Sequence, residues 1–250
     1  MILQAMASTD VGLRRRVNED RYALAPELGL FVVADGMGGH KAGQVASQLA
    51  AESTLRAVEA LQGATVSLAE KLRHAVACAN REIHALACSQ SDLSGMGTTL
   101  VAILAAGDRA ALAHVGDSRA YLIRDGRIRC LTDDHSLVGE LLRRREISPA
   151  AAREHPHRHV LTRALGVRTA VAADLAEMTP RDGDIFAMCS DGLTNHVRDE
   201  EIAEMVGGKP DLQHCCESLV DCANSRGGED NTTVVLVRCD KGGERVTGIS

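Results

Sequence analysis

Apolar positions along the chain recur with two spacings, which predict helices and strands respectively. In residues 68–89 apolar side chains return every three or four positions, as in a helix that packs one face against a core. Residues 29–34 form a continuous apolar run that ends at Asp35-Gly36, as in a buried strand. The same patterns predict helices at 41–61, 137–145, 199–206 and 211–224, and strands at 98–106, 109–115, 120–131 (a hairpin), 171–178, 184–190 and 232–239.

Turn residues between these segments predict how the strands pair. Gly107-Asp108 and Asp125-Gly126 each separate two apolar runs, which is typical of hairpins and therefore of antiparallel sheets. Pro149 is expected to break the structure after the helix at 137–145. With two long helices early and two late, we expect an α+β fold: a four-layer α-β-β-α sandwich of two antiparallel sheets flanked by helix pairs. One domain would span residues 1–240, followed by a polar tail at 241–250.

Composition excludes several classes of function. There is no run of 18 apolar residues, and the first residues, MILQAMASTDVG, lack the basic and apolar regions of a signal peptide. The net charge is −6, and the arginine triplets at 14–16 and 143–145 are too short for a nucleic-acid surface. The eight cysteines form no CxxC pair. We therefore expect a cytoplasmic protein with reduced thiols that binds neither membrane nor nucleic acid.

Acidic residues stand beside four of the apolar runs. Glu19 and Asp20 precede one run, Asp35 and Asp191 each follow one, and Asp230 opens the last. Each acid alone is explained by turn formation, because aspartate is common in loops. If the acids converge, however, their mutual repulsion calls for divalent cations, which take oxygen ligands. The pattern by itself leaves both interpretations open.

Eight short motifs follow one another along the chain. They are GLRRRVNED (12–20), DGMGGH (35–40), MGTT (96–99), VGDSR (115–119), DHS (134–136), HPHR (155–158), SDGL (190–193) and EDNTT (229–233). In this order they resemble the bacterial form of the PPM/PP2C family of metal-dependent protein phosphatases. The resemblance covers about residues 8–239 and implies the same sandwich fold. It also implies hydrolysis of phosphoserine and phosphothreonine by a water that bridges two divalent metal ions.

The resemblance assigns the acids to a metal centre that holds two Mn²⁺ or Mg²⁺ ions. Asp35 is expected to bridge the ions, with the carbonyl oxygen of Gly36 on the second ion. Asp191 and Asp230 are expected to bind the first, whereas Glu19 and Asp20 reach the ions mainly through water. Asp117 corresponds to a carboxylate that bacterial members link to a third, more loosely held ion.

Substrate binding is assigned to Arg15, which corresponds to the arginine that holds the phosphate. A planar guanidinium suits a two-pronged phosphate contact better than an ammonium group does. The neighbouring Arg14 and Arg16 are expected to be solvated surface charges. Arg15 and Asp35 are thus the expected catalytic residues.

Some positions depart from the family pattern. Animal members carry a histidine, their proposed general acid, directly after Asp-Gly, whereas this chain has Met37. His40 is expected to be a loop residue, and His135 to be structural. His159 stands where bacterial relatives often carry Asn or Ser. The proton donor is therefore left open, with a metal-bound water as one candidate.

Two alternative functions remain open at this point. A pseudophosphatase would bind phosphoproteins without hydrolysing them, although it would not need the complete set of acids. A hydrolase of small phosphoesters would use the same motifs, because these describe the phosphate and the metals only. Residues 137–159 are expected to form a flap near the cleft, which could select substrates. We expect the partners to be phosphorylated substrates of a Ser/Thr kinase, and the protein to be a monomer.

Overall fold

The computed structural model describes residues 1–39, 41–208 and 211–240; His40 and the predicted tail at 241–250 lie outside the described residues. Its strands form two antiparallel sheets, with the orders β1-β11-β10-β7-β8 and β2-β3-β5-β6-β9, and β4 pairs with β3. The strands are β1 (Ile2–Asp10), β2 (Asp20–Ala25), β3 (Leu30–Met37), β4 (Gly97–Thr98), β5 (Leu100–Ala106), β6 (Arg109–Val115), β7 (Arg119–Arg124), β8 (Arg127–Cys130), β9 (Asp174–Met178), β10 (Ile185–Cys189) and β11 (Thr232–Asp240).

Helices cover the outer faces of both sheets. The long helices are amphipathic, and side chains cap their first turns: Ser67 accepts from the backbone of Glu70 in α2, and Asp211 accepts from Gln213 and His214 in α7. The helices are α1 (Lys41–Ala60), α2 (Leu68–Ser89), α3 (Leu137–Arg143), α4 (Pro149–Arg153), α5 (Asp191–Thr194), α6 (Asp199–Val206) and α7 (Leu212–Ser225). None of the described helices combines the length and hydrophobicity needed to cross a membrane.

Three apolar clusters hold four layers together, and this confirms the predicted sandwich. One cluster lies between the sheets and includes Phe31, Val33 and Phe186. Helices α1 and α2 pack on the outer face of the β2–β9 sheet, whereas α6 and α7 pack on the other sheet. Strand β3 is buried on both faces because neighbouring residues point alternately to the helices and to the other sheet. Its sequence is therefore continuously apolar rather than alternating.

Three local features of the structure differ from the sequence-based expectations. Strand β1 was not predicted, because its exposed and half-buried residues give no continuous apolar run. Pro149 opens helix α4 instead of breaking the structure, since the first helical position needs no N–H donor and Ser148 caps the helix. The predicted strand at 98–106 is divided at Thr99 into β4 and β5.

Candidate active site

Two of the predicted acids lie opposite each other on neighbouring strands. Asp20 is the register partner of Asp35 in the antiparallel pair β2–β3, so both side chains leave the same face of the sheet. Asp20 is 2% exposed, and its Oδ2 accepts a hydrogen bond of 2.7 Å from Ser190 Oγ. Its Oδ1 is buried without a hydrogen-bond partner among the described residues. A buried carboxylate oxygen that lacks a donor is suited to a nearby cation.

Asp35 lies within β3, rather than after its end, and two threonines fix its backbone. The Asp35 amide donates to Thr99 Oγ1 at 2.9 Å. The Asp35 carbonyl accepts from the Thr99 amide and from Thr98 Oγ1, each at 2.8 Å. These three bonds hold the backbone that carries the Asp35 carboxylate.

Asp191 and Asp230 approach from the other sheet. Asp191 is the first residue of α5, and Asn195 Nδ2 donates to its Oδ2 at 3.1 Å. Asp230 precedes β11, and its Oδ1 accepts from the Asn231 amide at 2.8 Å. Its Oδ2 accepts from Arg15 Nη2 at 2.7 Å. The predicted phosphate-binding arginine is therefore paired with a predicted metal ligand.

A cavity of about 340 Å³ joins these elements. Seven of the eight predicted site residues line it, and the eighth, Asp20, is the buried partner of Asp35. The seven are Arg15, Glu19, Asp35, Gly36, Asp117, Asp191 and Asp230. The structure thus brings together acids that are up to 211 residues apart in sequence (Glu19 to Asp230).

The acids repel one another strongly in this cavity. Burial, with the charges of Asp20, Asp191, Asp117 and Asp230, holds the pKa of Asp35 well above its usual range. Burial also raises the pKa of Asp20 to about 7, although hydrogen bonds from Ser190 and Thr233 oppose the shift.

Asp117 shows the same effect at the edge of the cavity. Burial first, and then the charges of Asp191 and Asp134, raise its pKa well above the usual value. Carboxylates that resist ionisation in this way gain most from bound cations, which favour the charged form.

The backbone at Gly36, within β3, leaves no room for a side chain. A Cβ there would lie 2.1 Å from the Gly43 carbonyl oxygen and 2.7 Å from that of Glu19. The Gly36 amide donates to the Glu19 carbonyl at 3.2 Å, and Ser47 Oγ of α1 donates to the same oxygen. This close approach of backbone to backbone leaves Gly36 among the residues that line the cavity.

The donor set fits hard divalent cations such as Mn²⁺ or Mg²⁺, since it consists of carboxylates and backbone carbonyls. No three Asp, Glu, His or Cys side chains within residues 1–39, 41–208 and 211–240 are already grouped to hold an ion. Water and carbonyl oxygens commonly complete the coordination of such ions, so the side chains alone need not enclose them.

Two residues that depart from the family pattern also line the cavity. Met37 is the last residue of β3, directly after the Asp35-Gly36 pair. His159 lies with its Nδ1 3.7 Å from Asp191 Oδ2, and its side chain is about half exposed. His135 is buried, where its Nδ1 accepts from the Gly116 amide at 3.1 Å.

Sequence reasoning missed the residue that connects the loops of the site. Asn231 Oδ1 accepts from the Glu19 amide at 2.7 Å, and its Nδ2 donates to the carbonyls of Val11 and Val17 at 2.9 and 3.0 Å. One amide therefore holds both ends of the loop that carries Arg15. Its only signal in the sequence was its place in the EDNTT motif, beside Asp230.

A second cavity, of about 720 Å³, adjoins the first. The two share Asp117, Asp191, Asn195, His196 and Glu229. On one side the larger cavity is lined by residues of α3 and α4, and on the other by residues 194–200. It is thus an open extension of the acidic cavity.

Comparisons with known proteins agree with this geometry. The family model described as Protein phosphatase 2C matches residues 14–227. A serine/threonine phosphatase, stp, from Listeria monocytogenes is 42% identical over 247 residues, which cover 95% of this chain and 96% of the relative. The crystal structure of the Mycobacterium tuberculosis serine/threonine phosphatase PstP is 40% identical, with a TM-score of 0.89 and coverage of 96% and 100%. The catalytic domain of PstP in complex with two manganese ions is 39% identical, with a TM-score of 0.85 and coverage of 96% and 99%.

Proposed function

Because this chain belongs to the protein phosphatase 2C family of metal-dependent serine/threonine phosphatases, we propose that its acidic cavity is the active site. The reaction is hydrolysis of phosphoserine and phosphothreonine in proteins. The observation that carries the assignment is the meeting of Asp35, Asp191 and Asp230 with Arg15 around one cavity. Relatives named as serine/threonine phosphatases do not favour a binding protein without turnover or a hydrolase of small phosphoesters.

The acids would hold two Mn²⁺ or Mg²⁺ ions, as PstP holds two manganese ions. When bound, such ions activate a water for attack on phosphorus and offset the charge of the phosphoryl group. Asp35, the Gly36 carbonyl, Asp191 and Asp230 are the proposed ligands. Glu19 and Asp20 are proposed to act mainly through water, and Asp20 is held for this by Ser190.

Arg15 would bind the substrate phosphate. Its side chain is half exposed and lines the cavity, so a phosphate can reach it. A charge-assisted contact from the guanidinium stabilises both the bound phosphate and the negative charge that develops on it. Arg15 Nη2 bonds Asp230 Oδ2, an oxygen of a proposed metal ligand, so bound ions would compete with Arg15 for that oxygen.

The adjoining larger cavity is where we place the polypeptide around the phosphorylated residue. Residues 137–159, the proposed flap, form one wall with α3 and α4. We further propose that the phosphatase domain spans residues 1–240, and that a Ser/Thr kinase produces its substrates. The eight free cysteines are consistent with a cytoplasmic protein, and the net charge of −6 disfavours self-association, which supports a monomer.

The assignment is tested by assays with an aryl phosphate and a phosphothreonine peptide. Both should be hydrolysed when Mn²⁺ or Mg²⁺ is added, because the ligand set consists of oxygen atoms. A matched phosphotyrosine peptide serves as the control for specificity. Full activity in excess chelator would contradict the two-metal site, and activity on phosphotyrosine alone would contradict the Ser/Thr assignment.

Asp117 is proposed to hold a further, weakly bound cation. Replacing Asp117 with alanine is expected to lower kcat on a phosphothreonine peptide about 10-fold or more, with little change in tight Mn²⁺ binding. The loss on an aryl phosphate should be smaller, because an alkoxide needs a proton to leave and an aryl oxide does not. Steady-state assays with both substrates across a Mn²⁺ titration measure this difference.

The exposed Asp133 provides the control for Asp117, since its replacement by alanine should alter neither substrate. If Asp117→Ala lost the same factor on both substrates and also lost tight Mn²⁺ binding, Asp117 would instead belong to the main metal site.

A further inference from the structure

Helix α2 carries a buried amide on its otherwise apolar inner face. Asn80 is 1% exposed, among buried neighbours such as Val76, Ala79 and Ile83. Asparagine is unfavourable inside a helix, and burying an amide costs free energy unless the amide is hydrogen-bonded. Asn80 is therefore explained by its partners rather than by helix formation.

All of these partners lie in one segment, residues 166–169. Asn80 Nδ2 donates to the carbonyls of Arg168 at 3.0 Å and Thr169 at 3.2 Å. Asn80 Oδ1 accepts from the Gly166 amide at 2.9 Å. Gly166 itself has a φ of +85°, and a Cβ there would lie 2.2 Å from Ile83 Cγ2. Helix α2 thus holds this segment at close range by hydrogen bonds and by packing.

The segment in turn supports the short strand β4. Leu165, fully buried, exchanges two backbone hydrogen bonds with Thr98: Thr98 N to Leu165 O at 3.2 Å, and Leu165 N to Thr98 O at 2.9 Å. On its other side β4 pairs with the end of β3, in the register Gly36 to Thr98 and Met37 to Gly97. A two-residue strand makes few bonds of its own, so its position depends on both neighbours.

Strand β4 and Thr99 contact Asp35, one of the proposed metal ligands, through its backbone. Thr98 Oγ1 donates to the Asp35 carbonyl at 2.8 Å, and the Thr99 amide donates to the same oxygen at 2.8 Å. Hydrogen bonds, joined by the peptide link between Leu165 and Gly166, therefore connect Asn80 through β4 to Asp35.

We propose that Asn80 is a positioning residue for the Asp35-Gly36 segment of β3, and that it sets the affinity of the active site for Mn²⁺ without touching metal or substrate. The inference rests on the proposed function of that site. Groups that orient metal ligands from outside the coordination sphere commonly change metal affinity 10- to 100-fold. A residue that only stabilised the fold would leave the affinity of the folded protein unchanged.

The test measures Mn²⁺ binding by calorimetry, well below the melting temperature, in variants of the full chain. Asn80→Ala is expected to weaken Mn²⁺ binding about 10-fold and to recover most of its kcat at saturating Mn²⁺. Leu72→Ala is the control, because Leu72 is a fully buried residue of the same helix whose side chain has no polar atom. It should lower the melting temperature and leave Mn²⁺ affinity within about twofold.

Asn80→Ser provides a second, milder variant. Its hydroxyl keeps one polar group on α2 but is too short to bond Gly166, Arg168 and Thr169 together, so an intermediate loss of affinity is expected. If Asn80→Ala does not fold, Asn80→Ser is judged by the same measurement. Wild-type Mn²⁺ affinity in the folded variant would overturn the proposal. Failure of the wild-type protein to bind Mn²⁺ would instead count against the proposed function.

Discussion

Replacement of Asp35 by asparagine is expected to lower kcat/KM on a phosphothreonine peptide by about 10³-fold or more. The variant keeps the shape of the side chain but loses the charge of the proposed bridging ligand, and stabilisation of developing charge is a large part of catalysis at such sites. Steady-state kinetics at saturating Mn²⁺ measure the effect. Asp108→Asn, in the exposed turn between β5 and β6, is the matched control and should retain full activity.

The same Asp35→Asn variant is expected to be more stable than the wild type when no metal is bound. The pKa of Asp35 is raised well above its usual value by burial and by Asp20, Asp191, Asp117 and Asp230. An acid with a raised folded-state pKa loses stability as pH rises from its unfolded pKa, about 3.9, through its folded pKa. Asparagine does not titrate and escapes that loss.

Thermal melts in chelator test this relation. The gain in melting temperature for Asp35→Asn should be clear at about pH 8 and should largely vanish near about pH 3, where the wild-type carboxyl is mostly protonated in both states. Added Mn²⁺ should reverse the order, because it stabilises the wild type preferentially. Wild-type activity in Asp35→Asn, or a lower melting temperature at the higher pH, would mean that Asp35 does not belong to a repelling metal-binding cluster.

Local sequence patterns predicted the helices that bury one regular apolar face and the strands that are apolar along their whole length. Helix α2 was predicted with the bounds that the structure shows, because its apolar face is regular and Ser67 caps it. Strand β1 was missed, since it is stabilised mainly by pairing along its whole length with β11, which lies more than 220 residues later. Pairing between distant segments leaves little trace in the pattern of a single strand.

For the active site too, single residues were predictable from the sequence but their arrangement was not. Each acid could be recognised in its motif, but its convergence with the others depends on the register that places Asp20 opposite Asp35 and on the packing of two sheets. No periodicity in the sequence encodes that register, so convergence was predicted only through the family resemblance. Supporting residues such as Asn80 and Asn231 were not predicted, because a buried amide is recognisable only from its partners.

Replacement of Arg15 by alanine is expected to lower kcat/KM about 10- to 150-fold. A charge-assisted contact with phosphate is worth about 1.5–3 kcal/mol, which corresponds to a loss of that size. The loss should lie mainly in substrate affinity. Arg15→Lys should recover only part of it, because an ammonium group cannot form the two-pronged contact.

Metal binding should not be weakened by the same Arg15→Ala substitution. Arg15 Nη2 lies 2.7 Å from Asp230 Oδ2. Burial of Arg15 lowers its pKa, but the charge and hydrogen bond of Asp230 outweigh this, and the pKa of Arg15 is raised. The guanidinium therefore occupies an oxygen of a proposed metal ligand, and alanine would free it. Calorimetry with Mn²⁺ and no phosphate should show binding as tight as in the wild type, or tighter.

The neighbouring arginines provide the matched controls for Arg15. Arg14 and Arg16 are exposed, so Arg14→Ala and Arg16→Ala keep the overall charge of the Arg15→Ala variant but leave the ion pair with Asp230 intact. Both should retain nearly full kcat/KM and wild-type Mn²⁺ affinity. If all three alanine variants lost activity equally, the phosphate would be attracted by the general charge of the loop. Arg15 would then not make the specific contact that its position in the cavity indicates.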